Sequence, residues 1–183
     1  MPMSPAVRKG MLIVHLATSI GWLGAVTAFL ALAIAGLTSN DALLVRASYI
    51  AANVIMLAVI VPLSFSSLLT GLVMALGTSW GLFRHYWVIV SLVLNIFATI
   101  ALLVHTRPAG EVARMAATMS LTTGDLRDMR VQLVVTAAAA LVLLLVATAL
   151  NVYKPKGLTP YGWRKQQERI AMGASRGRRA TTA

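Results

Sequence analysis

Four stretches of this chain, 11–37, 47–76, 86–105 and 131–152, are long and apolar enough to cross a hydrocarbon layer of about 30 Å, which takes ~20 residues of helix. Lipid offers nothing to hydrogen-bond a backbone, so each stretch must satisfy its own N–H and C=O groups, and a helix does so within a single segment. Composition points the same way: 58% of residues are apolar and 11% charged, with a mean hydropathy of +0.81. A soluble domain is roughly a quarter charged, so a water-soluble globule is excluded. The expected fold is all-α: an integral membrane up-down-up-down four-helix bundle over 1–153, followed by a basic tail over 154–183. Arg8 and Lys9 precede the first stretch as they would a signal peptide. Its apolar run far exceeds a signal core of ~7–15 residues, which makes it a retained span.

The connections set the topology. Thr38–Asn40 reads as a tight turn with Asn40 as N-cap, and Gly77–Arg84 as a second short link, so successive helices are antiparallel neighbours. Pro62, close to Ser64, Ser66 and Ser67, predicts a kink in the second span, with hydroxyls helping to satisfy the freed carbonyl. Lys and Arg cluster on the N-terminal flank, at Arg84 and after Val152, while the first loop carries Arg46 alone. The positive-inside bias then puts both termini in the cytoplasm of a multi-pass cell-membrane protein. The longest connection, 106–130, lies outside and is nearly neutral. Within it, 108–119 reads as a short surface helix and Thr122-x-x-Asp125 as a capping box for the last span.

Beyond Val152 the chain turns polar. Thr159-Pro160 has cap and first-turn chemistry, and a helix to Met172 stopped at Gly173 precedes a disordered arginine-rich end. Tyr161 and Trp163 beside Arg164, Lys165 and Arg169 suit a segment lying on anionic lipid headgroups. No fold-sized basic surface accompanies the tail, which argues against nucleic acid as a partner.

The spans exclude more chemistry than they offer. Their interiors hold no Asp, Glu, Lys or Arg, against what ion-coupled carriers place at mid-membrane. The absence of cysteine removes disulfides, iron–sulfur clusters and thiol nucleophiles. What remains is histidine and polar stripes. His15, Thr18, Ser19 and Trp22 share one face of the first helix. Ser64, Ser67, Gly71 and Met74 line the second, and Ser91, Asn95 and Thr99 the third. Such faces either pack helices together or enclose a cavity. His15 and His85 fall in the same leaflet, and facing imidazoles are how bundles hold a b-type haem, whereas His105 lies roughly 30 Å from His85 along its helix. The expected site is therefore a cytoplasmic-leaflet cavity that binds haem b or a related hydrophobic ligand. His15 would be a ligand to the iron, with His85 or Met74 as the second, and Ser19, Trp22, Ser67, Ser91 and Asn95 would line the cavity. Two other readings use the same residues. One is a non-catalytic accessory or assembly subunit, packing as a homo-oligomer or within a larger membrane complex. The other is a copper-handling protein using Met11 and Met74 with His15, Met56 belonging to the opposite leaflet.

His15-x6-Trp22-Leu23-Gly24 resembles the opening of several small membrane families: inner-membrane copper-resistance proteins of the D type, the bacterial membrane protoporphyrinogen oxidase, and an actinobacterial family of unknown function. Trp80-Gly81-Leu82-Phe83-Arg84-His85-Tyr86-Trp87-Val88, His105, Tyr153-Lys154-Pro155-Lys156-Gly157 and Tyr161-Gly162 are similar to the pattern of the last, so the resemblance spans nearly the whole chain. The oxidase likeness implies that His15 is the haem-ligating histidine of the first helix. Ser91 stands where the oxidase and copper families tend to carry a lysine, so porphyrinogen oxidation is not implied.

Overall fold

The structure, a computed structural model, describes residues 3–77, 81–118, 126–155 and 157–181. Helix α1 (Pro5–Thr38) begins six residues before the expected span. Ser4 Oγ accepts the Val7 N–H, and Pro5 enters with its φ already helical. Helix α2 (Ala42–Ile55) is capped by Asp41 and not by Asn40. The Asp41 carboxylate accepts the Leu43 N–H at 2.9 Å, and Ser39 Oγ accepts the Asp41 N–H at 3.0 Å, an arrangement that makes Asp41 the last residue before the helix.

The expected kink takes the form of a π turn, Met56–Ile60, between α2 and α3 (Val61–Gly77). Pro62 has no N–H to offer and its ring crowds the preceding turn. A wider turn directly before it, in which the Val61 N–H bonds the Met56 carbonyl, absorbs both demands without breaking the rod. Ser64 Oγ donates to the Val61 carbonyl at 2.8 Å, not to the acceptor four residues before Pro62 that the proline leaves without its N–H.

Helix α4 (Tyr86–Thr118) corrects the reading of the third span and the loop after it. It does not end at His105 but runs on through Pro108. Ala109, Val112, Ala113 and Ala116 form a helical stripe of small residues, and all four are buried. Burial of that stripe holds the helix together across the one hydrogen bond that Pro108 removes, so the expected surface helix is a continuation of the span. The proposed Thr122–Asp125 cap and Trp80 lie outside the described residues. Helix α5 (Arg127–Tyr153) is entered at Leu126 and left at Lys154, both in the left-handed region. Helix α6 (Pro160–Thr181) continues through Gly173, correcting the expected stop and the disorder beyond it; one glycine costs a helix about 1 kcal/mol and need not end it.

Helix α1 packs on α2, α3 and α5, while α4 packs on α5, α2 and α3, so α1 and α4 stand at opposite corners of the bundle. Trp22, Val26, Phe29 and Ala33 of α1 meet Tyr49, Met56, Ile60, Ala98, Leu133 and Leu144 in the core. The outer faces are equally apolar: Ile13, Ile20, Leu69, Phe97, Val104 and Val142 are all exposed. Four helices are long and apolar enough to cross a membrane, and a bundle that is apolar inside and out is a membrane bundle.

Candidate functional site

The start of α1 and the end of α3 lie together, with the Met3 N–H on the Gly77 carbonyl at 3.4 Å. From there the two helices run antiparallel, joined by side chains. Ser19 Oγ and Ser67 Oγ are 2.8 Å apart, and His15 Nδ1 is 3.0 Å from Thr70 Oγ1. An added Cβ at Gly71 would meet His15 Cε1 at 3.0 Å, so the imidazole sits in a notch that a glycine provides.

This network fixes which imidazole nitrogen carries the hydrogen. Thr70 has one hydroxyl proton and places it on the Ser66 carbonyl at 2.7 Å. Its oxygen therefore accepts from the ring: Nδ1 is the protonated nitrogen and Nε2 keeps the lone pair. A histidine held by Nδ1–H with Nε2 as the electron-pair donor is the arrangement seen in metal-ligating histidines. Met74 stands one turn beyond Thr70 on α3, and the antiparallel register sets Met11 opposite it.

The remaining expected members are not gathered there. His85, just before α4, forms an antiparallel bridge with Leu158, with its ring 6.3 Å from that of Trp87, so it engages the segment before α6 while His15 engages α3. Asn95 Nδ2 donates to the Ser91 carbonyl at 2.7 Å, and Thr99 Oγ1 to the Asn95 carbonyl at 2.9 Å, so that stripe bonds along its own helix. Ser91 Oγ is buried with no partner among the described residues. Among the described residues no three His, Cys, Asp or Glu side chains converge.

Trp22 lines a different, half-open pocket of about 60 Å³, shared with Phe29, Met56, Ile60, His105 and Thr136. His105 Nδ1 lies 2.7 Å from the Ala101 carbonyl, an acceptor only, so its Nε2 also keeps the lone pair. Sequence spacing set His105 apart as remote from the other histidines. The signal that would have linked it to Trp22 is the alternating direction of the spans, which makes α1 and α4 parallel and brings the middle of α1 level with the end of the apolar part of α4.

Sequence reasoning also missed Arg130. Counted as one charge of an external loop, it is fully buried; its Nε donates to Tyr49 Oη at 2.9 Å and its Nη2 to the Gly36 carbonyl. The guanidinium ties α5 to α1 and α2 at the end of the bundle opposite His15. No family model, curated protein or solved structure matches the chain.

Proposed function

We propose that this is a multi-pass cell-membrane protein, both termini cytoplasmic, that holds a hydrophobic metal cofactor such as haem b through His15 Nε2. One observation carries the reading: Thr70 spends its proton on the Ser66 carbonyl and so sets the His15 tautomer that leaves Nε2 as donor. An imidazole and a thioether are donors that haem iron accepts, so His15 and Met74 are the residues that would hold it, and His85 is not needed as a partner. The pocket beside Trp22 does not suit it, since about 60 Å³ is far below the ~300–1,000 Å³ of ordinary ligand sites. His15 would hold the group from α1 and Met74 from α3. Haem would supply redox or gas-binding chemistry there. The chain contributes a fixed imidazole, with a polar floor of Ser19, Ser67 and Thr70 beneath it.

The same closed, hydrogen-bonded face favours a second reading, an accessory subunit in which these residues only join helices. Optical spectroscopy separates the two. Protein purified with haem supplied should show a Soret band that His15→Ala abolishes, Thr70→Val weakens by releasing the tautomer, and His105→Ala leaves in place. A wild-type protein that takes up no haem overturns the cofactor reading. A titration with copper(I) then tests the His15, Met11 and Met74 set as a soft-metal site.

A further inference from the structure

We infer that the end of the bundle bearing α6 carries a built site for the phosphate headgroup of an anionic glycerophospholipid. This lies apart from the His15 face and does not depend on the reading proposed for it.

The segment before α4 and the segment before α6 are stitched together. Thr159 N–H donates to the Arg84 carbonyl at 3.0 Å, Tyr86 N–H to the Gly157 carbonyl at 3.4 Å, and Thr159 Oγ1 to the Phe83 carbonyl, while Gly162 N–H donates to Thr159 Oγ1 at 3.1 Å. An added Cβ at Gly162 would collide with the Arg84 carbonyl, so the first turn of α6 lies directly on that backbone. Between these segments is a half-open groove of about 690 Å³, within the ~300–1,000 Å³ of ligand sites.

Its wall has a definite chemistry. Arg84, Lys154 and His85 bring N–H groups to it, Trp87 and Trp163 supply aromatic faces, and among the described residues no carboxylate lines it. Glu168 of α6 pairs instead with Lys165 at 2.9 Å. Lys154 closes α5 in the left-handed conformation, φ 45°, its N–H on the Leu150 carbonyl at 3.0 Å, which sets it beside the groove. Gly81, also left-handed at φ 65°, lets the Arg84 side chain fold across it: a Cβ there would stand 2.6 Å from Arg84 Cδ. Arg84 and Lys154 beside two tryptophans, at the level where α4 starts and α5 ends, form a positive pocket at the membrane boundary. Tryptophan concentrates at that depth, and anionic lipid presents its phosphate there. Attraction by a basic tail alone is a different device, because it needs no groove.

The test uses the full chain in detergent, offered phosphatidylglycerol or phosphatidylcholine, with retained lipid counted by native mass spectrometry. Phosphatidylglycerol should be kept and phosphatidylcholine lost. Arg84→Gln and Lys154→Asn should each weaken retention about fivefold, asparagine being chosen because it tolerates the left-handed backbone. Lys165→Gln with Arg169→Gln should change little. Equal retention of the two lipids by the wild-type protein overturns the proposal whatever the variants do. So does a folded Arg84→Gln/Lys154→Asn protein that holds phosphatidylglycerol as well as wild type. Inorganic phosphate displacing the lipid completely, with no preference for the lipid-borne group, would make this a site for a soluble phosphate compound and overturn the lipid assignment.

Discussion

Replacing Gly36 with alanine should destabilise the bundle more than any other single added methyl in α1. Its Cβ would stand 2.7 Å from both Cε2 and Cζ of Tyr49 and 3.1 Å from the hydroxyl oxygen, closer than packed carbons approach. Tyr49 is 2% exposed and has nowhere to retreat. The ring also carries Arg130, whose Nε bonds the hydroxyl at 2.9 Å and whose Cζ lies 5.4 Å from the ring centroid. Displacing the tyrosine therefore adds two costs. Overpacking is worth about 1–3 kcal/mol, and loss of a buried hydrogen bond from a charged donor about 1.5–3 kcal/mol. We expect Gly36→Ala to cost about 3–5 kcal/mol in the wild-type background. With Tyr49→Leu the ring is gone and the hydrogen bond already lost, so the added methyl should then cost less than about 1 kcal/mol, a coupling well above the ~0.5 kcal/mol scatter of independent sites. Reversible unfolding of the detergent-solubilised protein in mixed micelles of rising dodecyl sulfate content, followed by tryptophan fluorescence, measures all four corners of the cycle. Equal costs of Gly36→Ala in the two backgrounds, or a wild-type cost within about 0.5 kcal/mol of zero, would refute the assignment of Gly36, Tyr49 and Arg130 to one packed unit.

A reporter active only in the cytoplasm should give signal when fused after Ala183, and a periplasm-active reporter working there would reverse the orientation. Gly162→Ala should detach α6 from the Arg84 backbone while leaving the spans intact, seen as faster hydrogen exchange confined to 157–172; unchanged exchange would show that the helix does not need that close approach. Gly71→Ala should push the His15 ring off Thr70, so a haem-loaded sample should lose Soret intensity as it does in Thr70→Val, while a full-strength band would separate ligation from this notch.

Part of the candidate site was legible before the fold was known. The i, i+3, i+4 spacing of His15, Thr18 and Ser19 marks a polar helix face, and the structure joins Ser19 of that face directly to Ser67 of α3 at 2.8 Å, where a cavity lining was expected. Which face of α3 meets which face of α1 was not legible. Thr70, which orients the imidazole, looked like one more hydroxyl in an apolar run. Trp22 shares the His15 stripe on a helical wheel, yet a stripe curving over two turns contacts two neighbours, and Trp22 faces the cavity with His105 and Met56.

By itself the sequence determined that the chain is all-helical and crosses a membrane four times, because hydrocarbon tolerates no unsatisfied backbone and twenty apolar residues leave few other options. It also determined that Pro62 disturbs the second span, since the missing N–H is a property of one residue. The tertiary structure alone decided where the helices end. Ala109, Val112, Ala113 and Ala116 carry α4 past its apolar run because α2 and α5 are there to cover them. It decided, too, that Arg130 is buried among α1, α2 and α5 while its neighbours in sequence read as a loop. A charge counted along the chain looks like any other. Whether it is solvated or enclosed depends on a tyrosine 81 residues away and a glycine carbonyl 94 residues away, and only folding brings the three together.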